Sequence, residues 1–519
     1  MESTRLIYML FALYLATLVG LFLYGINCHI LILAHRHGRR KFLPLPPLRP
    51  GDPHPAVTIQ VPIYNEKYVA RRAVEAVGRI RYPRDRLQIQ VLDDSTDETV
   101  DIVRAAAALL RARGLHVEHL RRKTRTGYKA GALADGLERA TGELIAIFDA
   151  DFVPPEDFLE RTIPGFRDPQ VAVVQTRWGH LNRSYSALTG AQAIGIDGHF
   201  GVEQGARCWS GLFLNFNGTA GVWRASAIRD AGGWQHDCLT EDLDLSYRAQ
   251  LRGWRILFLP NVVCPAELPV QIAAFKAQQR RWATGTIQTT LKLAPAIWKA
   301  DLSPWVKLQA FLHTTHYLVH PLMLAVVLLS IPLLLLGAPF HPATNLLLVA
   351  TLFALSTSGP TSLYVYGERQ LGPGWASRLR YIPFMMLLGV GIAFSNTRAV
   401  WRGLTDRSLE FVRTPKYGIE ARVGAWRGKG YGMRGAWEGV VELGLGLYAL
   451  TGLWLYLHGT HYLILPFLVL YTLGFGWVGS LTIFQAFQAT RPVSRPAFSF
   501  AAGRGARPAA AEPRQDRAA

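Results

Sequence analysis

Asp149 and Asp151 stand two residues apart in "ELIAIFDADFVPP", directly behind an apolar run. Residues two apart in an extended chain point the same way, and two neighbouring carboxylates repel unless a cation holds them. Hard divalent ions take one or two such carboxylates together with the oxygens of a substrate diphosphate. The pair is therefore read as a site for Mg²⁺ or Mn²⁺ with a nucleoside diphosphate, with turn capping as the alternative. Asp93 and Asp94 close a second apolar run in "LQIQVLDDSTDE". They either cap the next helix, in competition with Ser95, Thr96 and Asp97, or hydrogen-bond a base or ribose. Lys129 in "GYKAGAL" is either a solvated helix start or an ammonium for the phosphates. In "CLTEDLDLSYRAQLRGW", Thr240 is a good helix cap, and Glu241 and Asp242 fall in the first turn. First-turn acids complement the helix dipole. That field is expected to keep Asp242 ionised, as a general base requires.

A scaffold must bring these groups together. Within residues 55–268, "VTIQVPIYNE", "LQIQVLDDSTDE", "LHVEHL", "ELIAIFDADFVPP" and "VAVVQTRW" read as strands, with helical patterns from Thr99 and in "YKAGALADGLERA". Such alternation predicts a mostly parallel, doubly wound α/β sheet. Sites in these sheets form at the carboxyl ends of strands, where both acidic clusters lie. The run "LFLNFNGTAGVWR" is punctuated by glycine and suited to lining a narrow path. Its Asn217 and the earlier Asn182 open glycosylation sequons that a cytosolic domain leaves unmodified.

Much of the remaining chain is apolar. Leu6 to Ile32 carries no Asp, Glu, Lys or Arg, and it is too long for a signal peptide. Further runs lie near 310–337, 343–366, 381–400, 439–458 and 461–488. Each approaches or exceeds the ~20 residues that cross ~30 Å of hydrocarbon. The net charge of +19 crowds beside these runs, in "HRHGRRK", "RGKGYGMRG" and "RPVSRPAFSFAAGRGARP". That is the positive-inside pattern, reinforced by anionic lipid. No basic patch interleaved with aromatics stands away from the apolar runs, so nucleic acid is excluded as a partner. The four cysteines form no CxxC, which fits a reducing cytosol. Basic stretches 35–50, 401–437 and 491–519 are expected in the cytosol, so an even number of crossings separates 305 from 401. The weakest of the three runs between them is 381–400, with Ser395, Asn396, Thr397 and Arg398 at its end. It is expected to lie in the interface or re-enter, which leaves five spans and a cytosolic C-terminus.

Before the second run, "LPVQIAAFKAQQRRWATGTIQTTLKL" interleaves Ile272, Phe275, Trp282 and Ile287 with basic residues. This is the pattern of an interfacial amphipathic helix. Trp282 either anchors in the membrane belt or offers a stacking face to a sugar, with Arg281 reaching a phosphate. Taken in order, the motifs are Asp93/Asp94, Lys129 in KAG, Asp149-Ala-Asp151, Thr240-Glu241-Asp242 and Gln278-x-x-Arg281-Trp282. Together they resemble the membrane-embedded processive glycosyltransferases of family 2, the cellulose-synthase-like group. "FVRTPK" at 411–416 resembles the FxVTxK gating loop of that group; it keeps Phe411, Thr414 and Lys416, while Arg413 replaces the Val. "VEQGARCWSGLFLNFNGTAGVWR" and "GGWQHDCLTEDLDLSYRAQLRGW" resemble the mannan and glucan-backbone synthases. Cellulose synthases proper carry Cys-Gly-Ser where this chain has Asn217-Gly218-Thr219.

The resemblance implies a GT-A (Rossmann-like) cytosolic catalytic domain inserted in an α-helical transmembrane protein, and an inverting single displacement. Asp242 is then the catalytic base, and Asp149 and Asp151 are the metal ligands. Asp93, Asp94, Lys129, Arg281, Thr414 and Lys416 bind the donor. Trp282, Gln278, Asn217 and Glu241 bind the acceptor. The expected organisation is an anchor and juxtamembrane segment (1–50), a GT-A domain (51–268), an interfacial region (269–304), a channel region (305–490) with a gating-like loop at 405–420, and a disordered basic tail (491–519). The expected donor is UDP-glucose or GDP-mannose, and the acceptor a growing polysaccharide or a lipid-linked sugar. The expected location is the bacterial inner membrane, in contact with its lipid. The rival is a non-processive transferase that adds one sugar to a lipid. A receptor that binds nucleotide without turnover has no need of the full acidic set. "RPVSR" matches the opening of cyclic-di-GMP-binding barrels in some relatives, but only residues 496–519 follow, too few for a barrel.

Overall fold

Seven strands build one sheet: β1 (Val57–Ile63), β2 (Leu87–Asp93), β3 (His116–Leu120), β4 (Leu144–Ile147), β5 (Val171–His180), β6 (Gly221–Arg224) and β7 (Arg255–Ala266). Their order is β3-β2-β1-β4-β6-β5-β7. This is a computed structural model, and it describes all residues except 1, 41–44, 47, 49–50, 337–342, 407–410, 430–435, 459–464 and 491–519. The expected disordered tail, its RPVSR pattern and part of the 405–420 loop lie outside the described residues.

β1 pairs in parallel with β2 and β4, and β2 with β3, whereas β6 runs antiparallel to both β4 and β5. With β5 and β7 also parallel, the sheet is mostly parallel as expected, and mixed only through β6, its one reversed strand. The reversed strand is "GVWR", taken above only as part of a path lining, and its four residues are too few to show a periodicity. β7 escaped notice because Pro260 and Pro265 interrupt it, and proline demotes a strand pattern. Its pairing with β5 shifts register beside Pro260, between Thr176 and Arg177.

β1 and β2 are buried along their whole length. Strands buried on both faces are ordinarily continuous apolar runs; here Thr58, Gln60, Gln88 and Gln90 interrupt them and pair across the two strands. Thr58 Oγ1 donates to Gln88 Oε1 at 2.7 Å, and Gln60 Nε2 to Gln90 Oε1 at 3.0 Å. The chain winds outward from β1 through β2 to β3, then crosses back to place β4 on the other flank of β1. Such a reversal opens a crevice beyond the strand carboxyl ends, and the residues following β1 and β4 sit there.

Among the described residues, five helices are long and apolar enough to cross a membrane: Thr4–Arg39, His316–Leu335, Leu347–Gln370, Ala436–Leu457 and Leu465–Ala489. The 381–400 run falls in a broken pair, Trp375–Gly391 and Ala393–Thr405, bent by 49°. The Ile272–Lys299 helix has the apolar side expected of it, set against other helices of the chain. Ile272 and Phe275 pack with Leu388, Ile392 and Val478, and Ile287 packs with Tyr317 and Val400. Its apolar face is thus covered by neighbouring helices, which the pattern of a single helix does not reveal.

Candidate active site

A cleft of about 170 Å³ opens at the crevice, lined by every residue assigned above to base, metal, donor or acceptor except Asp93. β4 ends at Ile147, and the chain then turns to present Asp149 and Asp151. Thr219 Oγ1 fixes the turn by accepting the Asp149 N–H at 2.9 Å. Lys129 begins the Tyr128–Glu138 helix behind Gly127, whose φ of +71° suits glycine. Its ammonium donates to Asp149 Oδ1 at 2.5 Å and to the Gly218 carbonyl at 2.8 Å. Burial works against that charge, but Asp149, Glu241 and Asp242 outweigh it and raise the lysine pKa. Asp151 accepts Lys416 Nζ at 2.6 Å, so the 411–416 segment reaches into the cleft from the distant end of the chain.

The helix Glu241–Leu251 brings Glu241 and Asp242 to the same wall. Two expectations are corrected here. Thr240 makes no side-chain cap; its hydroxyl pairs with Thr289 at 3.1 Å, tying this helix to Ile272–Lys299. Nor does the helix field decide the charge of Asp242. Burial, then the adjacent Glu241, push its carboxyl up to about 7 against the pull of Lys129 and Arg281. A base that titrates near the working pH is well matched to proton transfer. Gly218 lets the loop approach it: its φ is +81°, and a Cβ there would lie 2.8 Å from Asp242 Oδ2.

Gln278, Arg281 and Trp282 follow the i, i+3, i+4 spacing of one helix face and all line the cleft. The Arg281 guanidinium lies 4.7 Å from the centre of the Phe411 ring, a cation–π distance. The Asn217 N–H donates to Gln175 Oε1 at 2.8 Å, and its amide nitrogen lies 3.0 Å from His199 Nε2. Asp94 receives Arg122 through two bonds of 2.6 and 3.0 Å. Thr414 is buried in the wall. Asp93 points elsewhere: it accepts the Ser95 N–H at 2.9 Å and pairs with His119 at 2.8 Å, so it shapes the loop rather than the cleft.

Sequence reasoning missed Tyr64 and Glu66, which line the cleft directly after β1. Tyr64 lies under Arg125 at 3.4 Å. Burial pushes Glu66 up to about 7 against Arg413, with Asp151 and Asp149 adding to the rise. The signal available was position, at the end of the first central strand. Among the described residues, no group of three or more His, Cys, Asp or Glu is placed to hold a metal. Asp149 and Asp151 nevertheless fit a hard cation that draws its remaining oxygens from a diphosphate and water.

Residues 54–285 match the family described as Glycosyltransferase like family 2. Glucomannan 4-beta-mannosyltransferase 9 of Arabidopsis thaliana is 33% identical over 446 residues, covering 82% of this chain and 81% of that protein. The chain belongs to glycosyltransferase family 2, in the cellulose-synthase-like group. Glucomannan 4-beta-mannosyltransferase 2 of Arabidopsis thaliana is 43% identical over 248 residues, 47% of this chain. That match spans 46% of the relative, about half its length. These relatives are plant proteins and lend no support to the bacterial inner membrane expected for this glycosyltransferase. A mannosyltransferase from Pyrobaculum calidifontis, solved in complex with GDP-Man and Mn²⁺, superposes with a TM-score of 0.51 at 22% identity, covering 76% of this chain and 99% of that one. At that identity the likeness is one of fold, and it agrees with the GT-A expectation.

Proposed function

We propose that this glycosyltransferase extends a β-linked mannan or glucomannan backbone from GDP-mannose at the cytosolic face, feeding the product toward its membrane helices. The supporting observation is the meeting of Asp149/Asp151, Glu241/Asp242 and the Gln278–Arg281–Trp282 face in one cleft. The mannosyl activity in the names of the plant relatives, and the GDP-Man bound by the Pyrobaculum protein, favour mannose over glucose.

Asp242 takes the proton of the acceptor hydroxyl. The freed oxygen pair attacks the anomeric carbon while its bond to the diphosphate breaks, inverting the configuration. Asp149 and Asp151 would hold Mg²⁺ or Mn²⁺, which would supply positive charge for the departing diphosphate. Lys129 and Arg281 add fixed cations, and stabilising charge where it develops is usually the largest catalytic term. Asp94 with Arg122 faces the base and ribose, and Thr414 and Lys416 close over the donor. Gln278, Asn217 and Glu241 hold the acceptor, and Trp282 stacks on its terminal sugar. Stacking tolerates the sliding that stepwise elongation needs, whereas a rigid hydrogen-bond cage does not. The basic stretches flanking the apolar runs support a cytosolic catalytic domain and C-terminus.

The test is to incubate the purified protein with labelled GDP-mannose or UDP-glucose and each cation, then size the product. A long polymer from GDP-mannose is expected. A single sugar on lipid would overturn processivity, and polymer from UDP-glucose alone would overturn the donor.

A further inference from the structure

The Ile272–Lys299 helix carries a second polar row besides the one facing the cleft. Lys276 and Arg280, one turn apart, face the Ala436–Leu457 and Leu465–Thr490 helices. The Lys276 ammonium lies 2.5 and 2.7 Å from the two Glu442 oxygens and 2.8 Å from Thr482 Oγ1. Both charged side chains are essentially inaccessible, at 1% and 0%. Arg280 donates to both oxygens of Glu438 at 3.0 and 2.9 Å, and Arg398 reaches the same carboxylate at 3.0 Å.

The proposed chemistry uses none of these groups. Glu438 and Glu442 stand one turn apart on a helix apolar enough to span a membrane. Acids in such helices are costly, face partners inside the bundle and mark function. Stability alone is a poor reason for them, because replacing a buried ion pair by apolar residues of similar volume is often neutral or stabilising. Charge pairs do supply direction: two contacts a turn apart fix both the rotation and the axial position of a helix.

We propose that Glu438 and Glu442 are positioning residues that set the register of the Ile272–Lys299 helix against the membrane helices, and with it the placement of Gln278 and Trp282 at the acceptor end of the cleft. The assignment of that end rests on the function proposed above. Most of the donor end is fixed by other elements: Asp149 and Asp151 follow β4, and Lys129 rides on the Tyr128–Glu138 helix, while Arg281 is the donor-site cation that rides on the clamped helix. Disturbing the clamp therefore falls mainly on acceptor use. A misplacement of the order of 1 Å costs up to about a hundredfold in rate.

The full chain is tested in nanodiscs as K276M/E442M, which keeps the volume, and K276E/E442K, which reverses the pair. K276M/E442M is expected to keep its Tm, to raise the acceptor KM and to shorten the product, each by about tenfold, and to change the GDP-mannose Kd by much less through Arg281. K276E/E442K is expected to recover most of the loss. A second readout needs no turnover: the rate at which Gln278→Cys reacts with a thiol reagent should change in the apolar pair and return in the reversed pair. Wild-type kinetics, product length and labelling in K276M/E442M would overturn the proposal, as would a loss of donor affinity in step with transfer. If the wild type makes no polymer, the functional reading fails, and the labelling rates alone decide the positioning role.

Discussion

Between about pH 8 and about pH 6 the transfer rate should fall through the titration of Asp242. Its carboxyl is pushed up to about 7 by burial and by Glu241. The base acts only when ionised, so activity rises with pH through that value. With a pKa of about 7, about nine-tenths of the sites in the free enzyme are ionised at pH 8 and about one-tenth at pH 6, a tenfold drop in kcat/KM. A carboxylate at its ordinary value would be fully ionised at both and give a flat profile. The assay is initial-rate incorporation of labelled mannose at donor well below its KM and constant Mn²⁺, with donor Kd measured alongside at each pH. A kcat/KM that stays level from pH 8 to pH 6, or a limb confined to the ordinary carboxylate range, would refute the base assignment.

Lys129 holds the Asp242 charge down in energy, so Lys129→Met should move the acid limb of the pH–rate profile upward while weakening donor binding; an unmoved limb would show that the two groups do not interact. Gly218→Ala places a Cβ 2.8 Å from Asp242 Oδ2 at a φ of +81°, and should cost about 1–2 kcal/mol of stability from the left-handed conformation together with most of the kcat, read by thermal melting and initial rates. Asp93→Asn should lower stability by about 1–3 kcal/mol through its lost partners and leave the GDP-mannose Kd unchanged, which separates it from Asp94→Asn, expected to weaken donor binding. Chelation of divalent ions should abolish transfer and added Mn²⁺ or Mg²⁺ should restore it; full activity in chelator would remove the metal role from Asp149 and Asp151.

The elements carrying this site were readable where one chemical type is concentrated. The DxD pair and Asp94 announce themselves as acids ending apolar runs, and the five apolar helices by length alone. The Gln278–Arg281–Trp282 face follows from helical spacing. What could not be read depends on partners distant in the chain. "GVWR" gives no sign that it will enter the sheet reversed, because that is decided by β4 and β5 on either side. The Thr240 hydroxyl is a plausible cap until Thr289 comes within 3.1 Å. The charge of Asp242 follows from first-turn position only while the helix start is fully solvated; in the cleft, burial and the adjacent Glu241 outweigh the dipole. Lys416 gives no hint by itself that it will meet Asp151.

The account rests most heavily on Asp242 as the base, and the Asp242→Asn enzyme examines it directly. GDP-mannose titration and mannose incorporation are measured on the same preparation. The donor Kd should match the wild type while transfer falls by about 10²–10⁴-fold, the usual weight of a general base. Full turnover in that variant, or donor affinity lost in proportion to rate, would contradict the account.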